Sequence, residues 1–180
     1  MIRYLILLAF LIAMPSSGWA QGTEAPLRFP ELTAENLLGE SFDIPDDLPG
    51  EPRVIHIAFQ QRQQLEVNTW LTITDALEAD YEGLRVFEFP TISWPYRIMK
   101  PVIDNGMRGG IPSDAARGRT ITIFTRVSRF IEATGLPGND DIATLLIDAE
   151  GYIRWRALGV HTDEKESALR AAIEGLRAEG

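Results

Sequence analysis

The sequence predicts an α/β fold: a central mixed sheet of four or five strands flanked by helices. Three stretches carry that prediction. Arg53–Phe59 reads RVIHIAF, an apolar, β-branched strand bounded by Pro52 and Gln60-Gln61. Residues 63–80 space Val67, Trp70, Leu71, Ile73, Leu77 and Tyr81 mostly at i, i+3, i+4, which is a helix, and after Gly83 the run LRVFEF (84–89) is a second strand. Strand, helix and strand in this order make a βαβ unit with a right-handed crossover. The third stretch is 142–159, IATLLIDAEGYIRWRALG: an apolar strand, an acidic turn ending in Gly151, and a strand through Tyr152, Ile153 and Trp155. That is a β-hairpin, with Gly151 free to take positive φ.

The remaining elements follow in chain order. Residues 1–20 have the pattern of a secretory signal: Arg3 at the start, an apolar run of 11 residues from Tyr4 to Met14, a Pro15-Ser16-Ser17 break, and Gly18-Trp19-Ala20. Cleavage is expected after Ala20, leaving one domain, 21–180, that is periplasmic or secreted. An uncleaved anchor is the alternative, although a span needs roughly 17–25 residues. No cysteine follows the apolar run, which argues against a lipid anchor. Residues 32–36 and 41–44 are expected to form an N-terminal hairpin extension around Gly39-Glu40. Residues 90–118 read as an insertion: a turn at Ser93-Trp94-Pro95, a helix from Tyr96 kinked or shortened at Pro101, then a loop marked by Gly106, Gly109, Gly110 and Pro112. Residues 119–124 (RTITIF) alternate like a strand, and 127–134 form a short helix stopped at Gly135. Thr162 caps a final helix with Asp163 and Glu164 in its first turn, and Leu169, Ala172, Ile173 and Leu176 form its buried stripe.

Composition excludes several functions. The chain carries a net charge of −9, and −10 without the leader, which disfavours nucleic acid. The charge is uneven: 97–129 holds a local +5, leaving −15 for the rest of the mature chain. The chain has no cysteine, so disulfides, thiolate chemistry and cysteine-ligated metals are excluded. There is no G-x-S-x-G and no phosphate loop.

The 142–159 hairpin resembles the last hairpin of thioredoxin-like domains, where an apolar strand ends in Ile-Asp, a glycine turn follows, and the next strand leads to a C-terminal helix. In redox-active members the thiols follow the first core strand. The corresponding stretch here, 59–67, reads FQQRQQLEV. The cis-proline position of those members falls on Ile142, where a trans bond is expected because a non-proline cis bond costs about 2.5–4 kcal/mol. Leu145, Leu146, Asp148, Gly151, Ile153, Arg154, Trp155 and Gly159 are further similar to the mitochondrial ATP synthase assembly factors and their bacterial relatives, thioredoxin-like proteins that also lack the thiols. Weaker similarity extends from Trp70 through the region around Arg97 and Arg108, and in all the resemblance covers most of 54–176, with only the hairpin specific. That resemblance implies a chaperone for a membrane subunit on the matrix side, an address from which the leader departs. Small periplasmic thioredoxin-like proteins without thiols are a second resemblance.

The expected function is therefore an exported, redox-inactive binding or assembly module for a membrane or periplasmic complex, with no cofactor and no metal. Its candidate partner-binding residues are Trp94, Arg97, Arg108, Arg119, Arg154 and Trp155. Arginine and aromatic side chains concentrate interface energy. Arg154 and Trp155 point to opposite faces of one strand, Arg154 outward to a partner and Trp155 to the core or a groove wall. The basic segment is either a solvated face or a docking surface for an acidic partner, with weak contact to an anionic membrane face. The alternatives are a non-thiol, metal-assisted enzyme using His56 or His161, and a structural or ligand-carrying domain. His56 also reads as a hydrogen-bonded residue of its strand, and His161 with Asp148 matches no compact ligand motif.

Overall fold

The apolar runs become strands because both faces of the sheet are covered. A computed structural model describes residues 27–111 and 113–179; the leader and its cleavage site lie outside them. The strands are β1 (Leu32–Asn36), β2 (Ser41–Ile44), β3 (Arg53–Ala58), β4 (Arg85–Ser93), β5 (Ile121–Thr125), β6 (Ala143–Ile147) and β7 (Ile153–Leu158). The helices are α1 (Gln64–Asp80), α2 (Lys100–Gly110), α3 (Asp114–Arg119), α4 (Val127–Thr134) and α5 (Asp163–Glu179). All seven strands join one sheet in the order β2-β1-β5-β4-β3-β6-β7. The expected N-terminal hairpin is therefore one edge of the central sheet rather than an appendage to it.

β3 runs parallel to β4 and antiparallel to β6, with Ile55 opposite both Phe87 and Leu145. Alternation sends Val54, Val86 and Leu146 to one face, where they meet Val67, Trp70 and Leu77 of α1 and Leu169 and Ile173 of α5. Ile55, Ile57, Phe87, Phe89, Leu145 and Ile147 face the other way, onto Phe29, Leu48 and Phe130 of α4. Each fully buried aliphatic or aromatic side chain contributes about 1.5–3 kcal/mol of transfer free energy.

The segment 94–119 corrects one expectation. A 3₁₀ stretch, Trp94–Met99, passes directly into α2, and Gly106, Gly109 and Gly110 are helical rather than loop. Pro101 sits in the first turn of α2, where its missing N–H leaves no bond unmade. One anchor of this glycine-rich helix is Asp104. Its carboxylate is buried and accepts from Lys100 Nζ at 2.5 Å and from Thr122 Oγ1 at 3.0 Å, pinning α2 to β5. The short helix α3 lies beyond what the local sequence pattern predicts; Ser113 caps it by accepting from the Ala116 N–H.

Candidate functional site

Within 59–67, the stretch that the resemblance matches to the thiols, Gln63 is fully buried. Its Oε1 accepts from the N–H groups of Phe59, 2.7 Å, and Gln60, 3.1 Å. Its Nε2 donates to the carbonyls of Asn139, 3.1 Å, and Asp140, 2.9 Å. Two acceptor sites and two donor hydrogens are all that a carboxamide has, so the group is saturated. It ties the end of β3 to the loop before β6. The only cis bonds among the described residues precede Pro45 and Pro52, so the peptide before Ile142 is trans as expected.

His56 lies on the α1 face of β3, fully buried. Thr74 donates its hydroxyl to the Trp70 carbonyl at 3.1 Å, so it accepts from His56 Nε2–H at 3.2 Å; His56 Nδ1 then accepts from Thr144 Oγ1 at 3.0 Å. Desolvation, with a smaller contribution from the Arg119 charge, pushes its pKa down to about 3. His161 packs edge-on against Trp70, 5.2 Å between ring centroids, and contacts Glu166 at 3.1 Å. Among the described residues no group of three His, Asp or Glu side chains is placed to hold a metal.

The six candidate residues do not form one surface. Arg154 Nε donates to Asp148 Oδ2 at 2.6 Å, and Asp148 Oδ1 accepts from the Tyr152 N–H, so Arg154 closes its own hairpin turn. Trp155 is half-buried on the α1 face, 6.2 Å from the Trp70 ring. Arg119 pairs with Asp75 at 2.5 Å and approaches Glu88 at 3.6 Å. Burial outweighs those contacts and raises the Glu88 pKa. Arg108 is half-buried and donates to the Leu37 carbonyl at 2.6 Å, fastening α2 to the β1 side.

Trp94 and Arg97 do come together, with the guanidinium 4.8 Å from the ring centroid, and both line a cleft of about 720 Å³. Lys100, Arg126 and Arg129 complete its basic rim, and Leu32, Ala34 and Phe124 its apolar wall. The sheet explains the grouping. β4 and β5 are parallel with Ser93 opposite Thr125, so the residues that follow, Trp94 and Arg126, leave the sheet at the same end. The carboxyl ends of parallel strands are where open α/β sheets place ligands. Glu35 is the acidic member and is engaged by Lys100 at 3.0 Å. Arg97, Arg126 and Arg129 have no carboxylate within ion-pair distance among the described residues. Half of the exposed large apolar side chains of the described residues lie in the segment 94–102, Trp94 in the cleft and Tyr96, Ile98, Met99 and Val102 outside its lining. Sequence reasoning does not single out Lys100, Arg126 and Arg129; their one signal is a place in the basic segment beside the two strand ends.

By sequence, no family model and no curated protein matches the chain. By structure, it is similar to BsSco, a member of the Sco family of cytochrome c oxidase assembly proteins, with a TM-score of 0.59 and 14% identity over 83% of this chain and 95% of that one. The pneumococcal exposed lipoprotein thioredoxin Etrx1 of Streptococcus pneumoniae gives a TM-score of 0.53 and 14% identity, covering 81% and 99% of the two chains. A DsbF homologue from Corynebacterium diphtheriae gives 0.53 and 16%, covering 92% and 98%. At these identities the likeness shows the fold: the chain is thioredoxin-like, and it has no cysteine.

Proposed function

We propose that the chain is an exported, redox-inactive thioredoxin-like module that binds a protein partner and serves in the assembly of a membrane or periplasmic complex. The observation that carries this reading is the Gln63 junction. The stretch that the resemblance matches to the exchanging thiols holds a saturated, buried amide and no cysteine, so the fold keeps its frame without thiol exchange. The leader pattern supports export. The hairpin resemblance to ATP synthase assembly factors supports the assembly role. So does the structural similarity to BsSco, which belongs to a family of cytochrome c oxidase assembly proteins. The cleft at Trp94 and Arg97 suits such a partner, since it sets an exposed tryptophan beside arginine side chains in one concavity.

The test is fractionation and crosslinking in the native cell envelope. The expected result is a mature chain beginning at Gln21, outside the cytoplasm, joined in fixed stoichiometry to one complex. A full-length cytoplasmic chain with no stoichiometric partner overturns the reading. Zinc titration addresses the enzyme alternative: tight, one-to-one uptake lost in His161→Ala would favour it.

A further inference from the structure

β1 and β5 begin as a ladder and then part. Glu35 pairs with Thr122 and Asn36 with Ile121, and the pairing ends there. Continued in the same antiparallel register, Ala34 would meet Ile123, Thr33 would meet Phe124, and Leu32 would meet Thr125. None of these pairs forms, although both strands continue through those residues. β1 keeps its ladder to β2 on its other edge, and β5 keeps its ladder to β4. The facing edges of 32–34 and 123–125 are therefore open backbone inside a sheet, and the basic cleft lies along them. Unpaired strand edges are templates for a further strand.

We propose that this opening receives an extended acidic segment of a partner protein, which pairs with the open edge of β1 or β5 and sets its carboxylates on Arg97, Arg126 and Arg129. This rests on the binding-module reading and names the chemistry of its partner. Strand addition supplies affinity through main-chain bonds and selectivity through alternate side chains. Leu32 and Ala34 line one face of the opening, while Thr33 and Thr122 line the other beside Phe124, so the segment alternates apolar and acidic residues. The charge argument is local. Lys100 already holds Glu35 and Asp104, while Arg97, Arg126 and Arg129 have no carboxylate partner among the described residues. A second copy of this chain fits poorly. Its outer strand β7 carries Arg154 and Arg156, and its other edge, β2, has four residues with Asp43 accepting from Thr33. A lipid headgroup supplies anions but no backbone to complete the ladder.

The probe is a fluorescein-labelled Asp-Val-Glu-Val-Asp-Val peptide, followed by anisotropy with the mature chain. Binding is expected to saturate, to weaken as salt is raised, and to fall about tenfold or more in Arg97→Glu plus Arg129→Glu. Methylating alternate backbone nitrogens of the peptide should abolish binding. That control leaves the protein unaltered, so misfolding cannot mimic it. A Lys-Val-Lys-Val-Lys-Val peptide should not bind. Undiminished binding of the methylated peptide overturns strand pairing, and undiminished binding by the folded double variant overturns the cleft as the site. No saturable binding up to about 1 mM overturns the proposal as a whole. Dimerisation lost in the double variant would assign the opening to a second copy. Phosphatidylglycerol vesicle binding without peptide binding would assign it to a membrane. An envelope partner that stays crosslinked in the double variant overturns this inference and leaves the module reading standing. Absence of any envelope partner overturns the module reading whatever the peptide does.

Discussion

Gln63 donates its side-chain amide to the Asn139 carbonyl, 3.1 Å away and 76 residues on. One side chain thus holds together the two segments between which a redox-active member works. Gln63→Ala removes the partner of two N–H groups and two carbonyls in part-buried bonds, each costing up to about 1–3 kcal/mol where water does not replace the amide. A loss of roughly 1–3 kcal/mol in urea unfolding is expected at neutral pH. Gln63→Glu should be as damaging, because a carboxylate can still accept from Phe59 and Gln60 but faces two carbonyls with no donor. A loss below about 1 kcal/mol for both variants would show that the junction is not what closes this site.

Gly151 has φ +82°, and a Cβ placed on it would lie 2.5 Å from Pro45 Cγ. A proline ring cannot swing away as a flexible chain end does. Gly151→Ala therefore combines a left-handed backbone cost of about 1 kcal/mol with overpacking of about 1–3 kcal/mol. Gly175 in α5 is the control, since nothing lies within 4 Å of a Cβ built there. Gly175→Ala should raise stability by roughly 0.5–1 kcal/mol through helix propensity. The two substitutions should move the urea midpoint in opposite directions, and equal shifts would refute the turn argument.

These two glycines show what local sequence could and could not disclose. The turn at Gly151 was legible because strand, turn and strand are local signals, and the same holds for β1, β2, β3 and α4. The glycine-rich end of α2 was not, since Gly106, Gly109 and Gly110 have poor helix propensity and Asp104 reaching Thr122 on another element helps hold the helix. Arg119 and Arg154 count as basic surface in the sequence, but tertiary structure gives them Asp75 and Asp148. The cleft was invisible for a further reason. It arises where two strands far apart in the chain stop pairing beyond Glu35 and Thr122, and no residue type announces the end of a ladder.

Asp104 should prove the keystone of the 94–119 segment. It is 2% exposed, and Asp104→Ala leaves the Thr122 hydroxyl without its acceptor while Lys100 keeps Glu35. The expected loss is about 1–3 kcal/mol, since only part of the charge pair is stranded. Asp104→Asn should lose less, because its carbonyl still accepts from Thr122. Hydrogen exchange gives the sharper readout: α2 amides should lose protection in Asp104→Ala while β3 and β6 amides change only with global stability. Uniform loss across all elements would mean that α2 does not depend on this residue in particular.

His56 makes stability depend on pH with a definite sign. Its folded-state pKa is pushed down to about 3 from 6.5, chiefly by desolvation and then by the Arg119 charge. Above pH 6.5 both folded and unfolded chains hold it neutral, and it adds no slope. Below 6.5 the unfolded chain takes up a proton that the folded chain refuses, so stability falls with acid until about pH 3. One proton is worth about 1.4 kcal/mol per pH unit, so roughly 2–3 kcal/mol is lost between pH 6.5 and 4.5. Glu88 faces the same interior and opposes this trend. Burial raises its pKa, so the folded chain binds its proton more readily than the unfolded one, which favours folding on the acid side. His56→Gln retains an amide for Thr74 and Thr144 and binds no proton in this window. Urea unfolding of both proteins at pH 7.5, 6.5, 5.5 and 4.5 separates the contributions. The wild type should lose stability more steeply than the variant by close to one proton below pH 6.5. Parallel curves would mean that His56 takes up its proton in the folded chain, and that the threonine pair does not seal it from water.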